Sequence, residues 1–204
     1  MSVSIKTELR DGTPVAVRPV APSDAHLIKL GMDHLSARSR YTRFLHSITR
    51  LSERDVRQFT EVDQLNHIAW GALDLTHKEA FPVGVARCIR LDDEPVAAEI
   101  AVTVVDSHQK LGLGTILLGV VAYNAAQHGI ERFDATVISD NRRMIGLFSE
   151  LDATVHPASG GVLELTLPIH TYATEYPDTP TGTAFKRVYA LLNDSLPGQS
   201  GGID

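Results

Sequence analysis

The sequence predicts a mixed α/β (α+β) domain, in which helices flank a mostly antiparallel central sheet of about six to seven strands. Two observations support this prediction. Residues 67–75, 81–91 and 95–105 are rich in β-branched and small apolar residues and are separated by turn residues, which predicts a three-stranded meander. Residues 115–128 are apolar on nearly every side and predict a buried helix, with another strand at 131–138. A strand, a helix and a strand in succession predict one parallel βαβ unit with a right-handed crossover.

The segments before the meander predict one strand and three helices. Residues 13–20 alternate in hydrophobicity and predict the strand. Residues 21–24 have the chemistry of a helix start and precede an apolar stripe, so a first helix is expected there. Residues 36–45 predict a short helix that carries three arginines. Ser52 begins a third helix, with Asp55 in the capping-box position.

The segments after the buried helix close the sheet. Residues 141–151 predict a further helix, and residues 153–156 and 162–167 predict a closing hairpin around a glycine turn. We therefore expect one folded domain over residues 1–167 and a C-terminal extension over residues 168–204.

The extension is expected to contain a short amphipathic helix that docks on the domain or on a second subunit, and an end that frays from residue 195. Four apolar residues of this helix share one face: Phe185, Val188, Tyr189 and Leu192.

Composition excludes several classes of protein. Of the 204 residues, 43% are hydrophobic and 22% are charged, which is ordinary for a folded globular chain and excludes wholesale disorder. The 19 basic and 25 acidic residues give a net charge of −6, the wrong sign for a partner such as nucleic acid or an anionic membrane. Cys88 is the only cysteine, so the chain has no internal disulfide. The histidines do not form a zinc motif, and no metal site is expected.

The same composition predicts a cytoplasmic protein. Residues 1–12 are polar and charged and lack the apolar stretch of a secretory signal. The most apolar run, residues 111–126, is interrupted by glycines and polar residues and is shorter than the roughly 20 residues that span a membrane.

A glycine-containing loop over residues 104–115 leads from a predicted strand into the buried helix. The first backbone N–H groups of a helix are unpaired and lie at the positive end of its dipole, so such a turn suits a phosphate group. An isolated G-x-G more often only shapes a tight turn. A dinucleotide-binding fingerprint would need glycine at Leu117, and a P-loop would need Gly-Lys-Ser or Gly-Lys-Thr, which is absent.

Residues 109–114, Gln-Lys-Leu-Gly-Leu-Gly, match the Q/R-x-x-G-x-G/A motif and resemble the GNAT superfamily of acyl-CoA-dependent N-acyltransferases. The resemblance implies a GNAT fold and acetyl-CoA as cosubstrate, with its pyrophosphate on the amides of the loop. It also implies that the preceding strand and the helix over residues 141–151 contact the pantetheine arm. The coenzyme-binding residues that it implies are Val102, Val104, Gln109, Lys110, Leu111, Gly112, Leu113, Gly114, Thr115, Asn141, Met144 and Phe148. Gly112→Val is therefore expected to weaken coenzyme binding, because a branched side chain would fill the space of the pyrophosphate.

Residues 35–44, 51–56 and 98–102 are similar to the acetyltransferase domain of bacterial protein lysine acetyltransferases. This similarity implies that Glu99 is the general base. It also implies that part of the helix over residues 36–45 binds the acceptor, through Tyr41, Arg43 and Phe44. Each of these residues also has a structural alternative to a functional role. Glu99 can be a solvent-facing strand residue, and the three arginines of the helix can form its solvated face. At least one of the two aromatic rings can pack in the core.

The expected chemistry needs a base because an ammonium group has no lone pair. A lysine amine has a pKa of about 10.4 and an unperturbed glutamate about 4.3, so partial burial of Glu99 between Ala98 and Ile100 would help by raising its pKa. Phe148 stands where many GNAT enzymes have a tyrosine that protonates the leaving thiolate, and a phenyl ring cannot do so.

The function expected from this resemblance is transfer of an acetyl group from acetyl-CoA to an amine, with the side chain of a protein lysine as the leading acceptor. A small-molecule amine is the variant within the same class. Phe148 motivates a competing hypothesis, an acyl-CoA-binding or sensing module with little turnover. The sequence leaves open the acyl length of the donor and the oligomeric state, a dimer included.

Overall fold

The computed structural model describes residues 4–195, and its strands form one sheet. The strands are β1 (Ile5–Glu8), β2 (Pro14–Pro19), β3 (His67–Asp74), β4 (Phe81–Arg90), β5 (Ala97–Val104), β6 (Arg132–Ile138), β7 (Thr154–Pro157) and β8 (Val162–Pro168). The helices are α1 (Ala25–Asp33), α2 (Ala37–Phe44), α3 (Glu53–Thr60), α4 (Leu113–Gln127), α5 (Arg142–Ser149) and α6 (Pro180–Ser195). None of the helices between residues 4 and 195 is long and apolar enough to cross a membrane.

The sheet has eight strands in the order β1-β2-β3-β4-β5-β6-β8-β7. Every neighbouring pair is antiparallel except β5 and β6, which confirms the predicted fold class and its single parallel unit. The expected size of six to seven strands was too small, because β1 lies in a segment that looked only polar. As an edge strand, β1 buries Ile5 but exposes charged side chains, and four residues give little periodicity to detect.

The two faces of the sheet carry different helices. Residues of β5 alternate between the faces, as in any strand. Val102 and Val104 face the start of α4, since a Cβ placed on Gly114 would contact both of their side chains. Thr103 lies on the opposite face, where it lines a cavity together with Leu27 of α1. The buried apolar helix α4 therefore covers one face, and α1, α2 and α3 cover the other.

Helix α4 begins two residues earlier than predicted, at Leu113. Its N-cap is Gly112, whose φ of 92° is a left-handed conformation that suits glycine. The other helix starts follow the sequence closely. In α3, the Ser52 hydroxyl accepts from the Asp55 N–H, and the Asp55 carboxylate accepts from the Ser52 N–H, as the capping box predicts.

Helix α6 packs on the outer side of α4, and at 16 residues it is longer than the short helix that was expected. Its four predicted apolar residues are buried. The Tyr189 hydroxyl lies 2.9 Å from that of Tyr176 and donates to the His170 carbonyl, while its ring meets Tyr123 of α4 edge to face. Fraying was expected from residue 195, but Ser195 is still part of α6, and residues 196–204 lie outside the described residues. The division of the chain at residue 167 stays a prediction.

Candidate active site

A cleft opens where the two parallel strands of the sheet separate. Strands β5 and β6 pair only from Ala97 opposite Arg132 to Glu99 opposite Asp134. Beyond that point both strands continue without pairing, so a wedge opens between them. The cleft at this wedge has a volume of about 610 Å³. Its narrow end is marked by Glu99, the last paired residue of β5.

The wedge exposes backbone N–H groups of β5. Backbone groups of successive residues in a strand point to opposite neighbours. The Val105 N–H donates to the Val83 carbonyl on the β4 side, whereas the Val104 carbonyl accepts from Gln109 Nε2 on the other side. The N–H groups of Val102 and Val104 therefore face the wedge. Both residues line the cleft, and their contacts with a pantetheine arm stay a prediction.

The glycine turn supplies further free amides. Within the described chain, the N–H groups of Lys110, Leu111 and Gly112 have no hydrogen-bond partner, and the first turn of α4 adds the unpaired donors of any helix start. A left-handed φ at Lys110 and at Gly112 turns the chain sharply here. An anion placed at this turn would meet several donors and the positive end of the α4 dipole.

The two motif glycines have different environments. A Cβ on Gly114 would point toward Val102 and Val104, into the cleft. A Cβ on Gly112 would instead meet the side chain of Arg10, from the turn after β1, at 3.6 Å. The steric reason given for Gly112→Val therefore does not hold, because the added side chain would meet Arg10 and Gly112 does not line the cleft.

Most of the predicted coenzyme residues line the cleft, and four do not. The residues of this set that line it are Val102, Val104, Gln109, Lys110, Gly114, Asn141, Met144 and Phe148. Leu113 is 1% exposed and belongs to the core beneath α4. Leu111, Gly112 and Thr115 contribute no lining surface, so any contact from Leu111 and Gly112 would come from their backbone amides.

The rim of the cleft is basic although the whole chain is acidic. Lys110, Arg142 and Arg143 line it without a carboxylate within 4.0 Å among residues 4–195. Arg38 also lines it but pairs with Asp140 at 3.3 Å. A local excess of positive charge beside free amides favours a phosphate-bearing ligand.

Gln109 and Asp106 join α2 to the glycine turn. The Gln109 amide nitrogen donates to Ser39 Oγ and to the Val104 carbonyl, both at 3.2 Å. The Asp106 carboxylate accepts from the N–H and hydroxyl of Ser36, each at 2.8 Å, and from the Ser39 hydroxyl at 2.9 Å. These bonds fix α2 along one side of the cleft. The Asp106 contacts could not be predicted from the sequence, because their partners are about 70 positions away.

Helix α5 forms the opposite wall. Asn141 is its N-cap, and the side-chain oxygen accepts from the Met144 N–H at 3.3 Å. The carbonyl oxygen of this amide is therefore occupied in capping, which leaves its NH₂ group for a ligand. Phe148 lines the cleft but is only 1% exposed, so its ring is part of the core as well as of the wall.

Glu99 lines the narrow end of the cleft with an exposed side chain. The expectation that Ala98 and Ile100 would bury it was wrong, because residues next to each other in a strand point to opposite faces. Ala98 and Ile100 are buried on the α4 face, whereas Glu99 lies on the face of α2. An exposed carboxylate is open to water and to an incoming amine.

Two of the three predicted acceptor residues line the cleft. Arg43 and Phe44 do so from the end of α2, and the Arg43 guanidinium carbon lies 5.0 Å from the centre of the Phe44 ring. Tyr41 is 49% exposed and lies outside the lining. Burial lowers the pKa of Arg43, and the charge of Glu99 partly opposes that shift.

A serine, a histidine and an aspartate meet beside the glycine turn. His108 Nδ1 lies 2.9 Å from Ser107 Oγ, and its Nε2 lies 3.1 Å from Asp74 Oδ2. Sequence reasoning found Ser107 and His108 but no third group, since Asp74 is on β3. His108 lines the cleft and Ser107 does not, so the hydroxyl is outside the space open to a thioester. The arrangement holds the turn against β3.

The fold and the cleft together define the class of the protein. A mixed sheet that splits between two parallel strands, beside a glycine turn with free amides, is the frame of an acyl-CoA-dependent N-acetyltransferase. The Acetyltransferase (GNAT) family matches residues 34–152, and the chain belongs to this family. The family resemblance read from the glycine motif is confirmed.

Three known proteins illustrate the similarity. The GNAT domain of S. lividans PAT, a crystal structure, is 30% identical with a TM-score of 0.73, over 81% of this chain and 96% of that one. The acetyltransferase Pat of Mycolicibacterium smegmatis is 31% identical over 150 residues, which are 73% of this chain but only 44% of Pat. The yncA structure of Salmonella typhimurium, which contains acetyl-CoA, shares the fold at 19% identity and a TM-score of 0.59, over 81% and 98% of the two chains.

Proposed function

We propose that this chain transfers an acetyl group from acetyl-CoA to the side-chain amine of a protein lysine. The observation that best supports the proposal is the wedge between β5 and β6, where the free N–H groups of Val102 and Val104 adjoin the free amides of the glycine turn. A thioester on a long, narrow arm suits this wedge, because the arm can hydrogen-bond to β5 in place of a neighbouring strand while its phosphates meet the turn.

Glu99 would be the general base. Its exposed carboxylate at the narrow end of the cleft can take the proton of an amine directly or through a water molecule. The N–H of Val102 or Val104 would donate to the carbonyl oxygen of the thioester, where negative charge develops. Water in the open cleft would protonate the departing thiolate, since Phe148 cannot.

A small amine acceptor would use the same groups, so the experiment has to identify the acceptor as well as detect the transfer. The competing function is a module that binds acyl-CoA without useful turnover. The buried phenyl ring of Phe148 favours that alternative, because it removes one proton donor from the wall of the cleft.

Release of free thiol from acetyl-CoA would test the proposal. The purified chain is incubated with acetyl-CoA and a panel of proteins and small amines, and labelled acetyl groups are located by mass spectrometry. Glu99→Gln should lower kcat by about 10²- to 10⁴-fold, because a general base contributes that much, while the Kd for acetyl-CoA changes less than about twofold.

Asp134→Asn is the matched control. Asp134 lies opposite Glu99 on β6 but does not line the cleft, so its loss should leave the rate nearly unchanged. Wild-type rates in Glu99→Gln would refute the assignment of the base. A wild-type protein that binds acetyl-CoA but releases no thiol with any acceptor would establish the binding module instead.

A further inference from the structure

A second cavity lies next to the acceptor end of the cleft, between the sheet and helices α1, α2 and α3. Its volume is about 90 Å³. Arg43, Phe44 and Thr103 line both the cavity and the cleft, so the two spaces adjoin at these residues. Most of the remaining wall is aliphatic, for example Leu27 and Met32 of α1.

Arg87 of β4 lines this cavity and is 4% exposed. Among residues 4–195, no carboxylate lies within 4.0 Å of it. Only its Nη1 makes hydrogen bonds, to the Phe59 carbonyl at 3.4 Å and His67 Nε2 at 3.5 Å, and both are long. Its guanidinium carbon lies 4.1 Å from the centre of the Phe59 ring. A buried cation with such weak partners is costly.

Arg43 adds a second positive charge to the same place. Burial, and then the charge of Arg43, lower the pKa of Arg87 to about 9, which still leaves Arg87 protonated near neutral pH. Burial lowers the pKa of the neighbouring His67 to about 4, so His67 is neutral and contributes no further charge. The third arginine of the cavity, Arg18, is already paired with Asp24 through two hydrogen bonds of 2.7 and 2.8 Å.

We propose that this cavity binds a carboxylate group of the acceptor, close to the amine that is acetylated. The inference rests on the proposed function and adds the chemical class of its acceptor. Arg87 lies opposite Ala101 of β5, two residues beyond Glu99, so the Cα atoms of Ala101 and Glu99 are about 7 Å apart along the strand. An acceptor that places its amine at Glu99 can therefore place a carboxylate between Arg87 and Arg43.

The size and walls of the cavity favour a carboxylate on a short aliphatic stem. A volume of about 90 Å³ is roughly that of three water molecules in the liquid, which suits a carboxylate with one or two methylenes. Two guanidinium groups can satisfy both carboxylate oxygens, and the aliphatic part of the wall suits a short apolar stem. The carboxylate could belong to an acidic residue beside a target lysine or to a small amino acid.

Matched acceptors separate these two sources. Peptides with lysine beside glutamate are compared with the same peptides carrying glutamine, and free amino acids are compared with their carboxamides. The wild type should prefer the carboxylate form by at least about tenfold in kcat/KM in one of the two sets, because the neutral amide lacks the charge that strengthens hydrogen bonds from a guanidinium group. Equal rates on acid and amide in both sets would overturn the inference and leave the proposed function standing.

Arg87→Met should abolish the preference for the carboxylate acceptor by raising the KM for that acceptor. The Kd for acetyl-CoA should not change. Arg43→Met is the second variant and should reduce the preference without altering the centre of the sheet. Arg54→Met is the matched control, because Arg54 is an exposed residue of α3 outside the cavity. Retention of the preference in both Arg87→Met and Arg43→Met would contradict the proposal.

A binding experiment without turnover keeps the two proposals distinct. Propionate is titrated into the wild type and each variant in the presence of CoA, and binding is followed by NMR. Propionate should bind the wild type at least about tenfold more tightly than Arg87→Met, and Arg54→Met should match the wild type. Equal propionate binding by the wild type and Arg87→Met would overturn the subsite, whether or not the protein acetylates any amine.

Discussion

Replacing Gly114 by alanine should change stability and coenzyme binding in opposite directions. Gly114 is the second residue of α4, and an added Cβ would lie 3.9 Å from Val104 Cγ2 and 4.0 Å from Val102 Cγ1. Both distances are ordinary contacts, so the methyl group fits. Alanine is favoured over glycine in a helix by about 0.5–1 kcal/mol, and the free energy of unfolding should rise by up to that amount.

The same methyl group should weaken acetyl-CoA binding. It would occupy the cleft between the first turn of α4 and the side chains of Val102 and Val104, where the phosphates of the proposed ligand would approach the unpaired amides of that turn. A hydrogen bond to a charged group contributes about 1.5–3 kcal/mol, so the loss of one such bond raises the Kd by about 10- to 100-fold. Isothermal titration calorimetry measures the Kd, and urea unfolding measures the stability.

Gly112→Ala is the control for this prediction and should behave in the opposite way. Its φ of 92° is left-handed, so alanine should cost about 1–2 kcal/mol of stability. Its Cβ would meet the Arg10 side chain outside the lining of the cleft, and the folded variant should keep most of its affinity. An unchanged Kd in Gly114→Ala would refute the placement of the coenzyme at this turn.

Three further predictions concern the framework around the cleft. Burial, and then the charge of Arg87, lower the pKa of His67 in the folded protein from its ordinary 6.5 to about 4. The neutral imidazole therefore stabilises the fold fully above pH 6.5, and this stabilisation is lost as the pH falls toward 4. His67→Gln should flatten the fall in Tm over that pH range. Tyr189→Phe should lower the unfolding free energy by about 0.5–1.5 kcal/mol in urea, because it removes the hydrogen bond to the half-buried His170 carbonyl. Asp106→Asn should speed amide hydrogen exchange in α2 by roughly fivefold for each hydrogen bond that the helix loses, as measured by mass spectrometry. Unchanged exchange would show that other contacts hold α2.

The order of the main elements could be predicted because local periodicity and the architecture of the fold agree. The meander, the apolar helix and the strand after it each bury a face whose pattern is visible in the sequence, and the chain order then requires a parallel pair. Strand β1 was missed because pairing with β2, rather than its own composition, makes it a strand. The exact start of α4 depends on the left-handed conformation of Gly112. A glycine in the sequence allows this conformation but does not require it.

The candidate site was predictable where its residues are adjacent in sequence, and not where they meet across the fold. The glycine turn is continuous along the chain, so its motif was visible. Arg87 was not singled out, although a charged residue inside a strand of apolar residues was a signal that could have been used. The role proposed for Arg87 depends on its proximity to Arg43, which lies 44 positions earlier in α2. It also depends on the absence of a carboxylate partner for Arg87 among residues 4–195.

In the proposed function, strand β5 would serve both substrates. Its even-numbered residues turn their backbone N–H groups toward the wedge and their side chains toward α4, so Val102 and Val104 offer donors to an arm that lies along the strand. Its odd-numbered residues turn their side chains to the other face, where Glu99 meets the cleft and Thr103 lines the second cavity. Because this alternation has a period of two, a shift of one residue in the register of β5 would exchange the two faces. The pairing of β4 with β5 over seven residue pairs fixes the register, and it would therefore also decide which of the two proposed substrates meets each side of the strand.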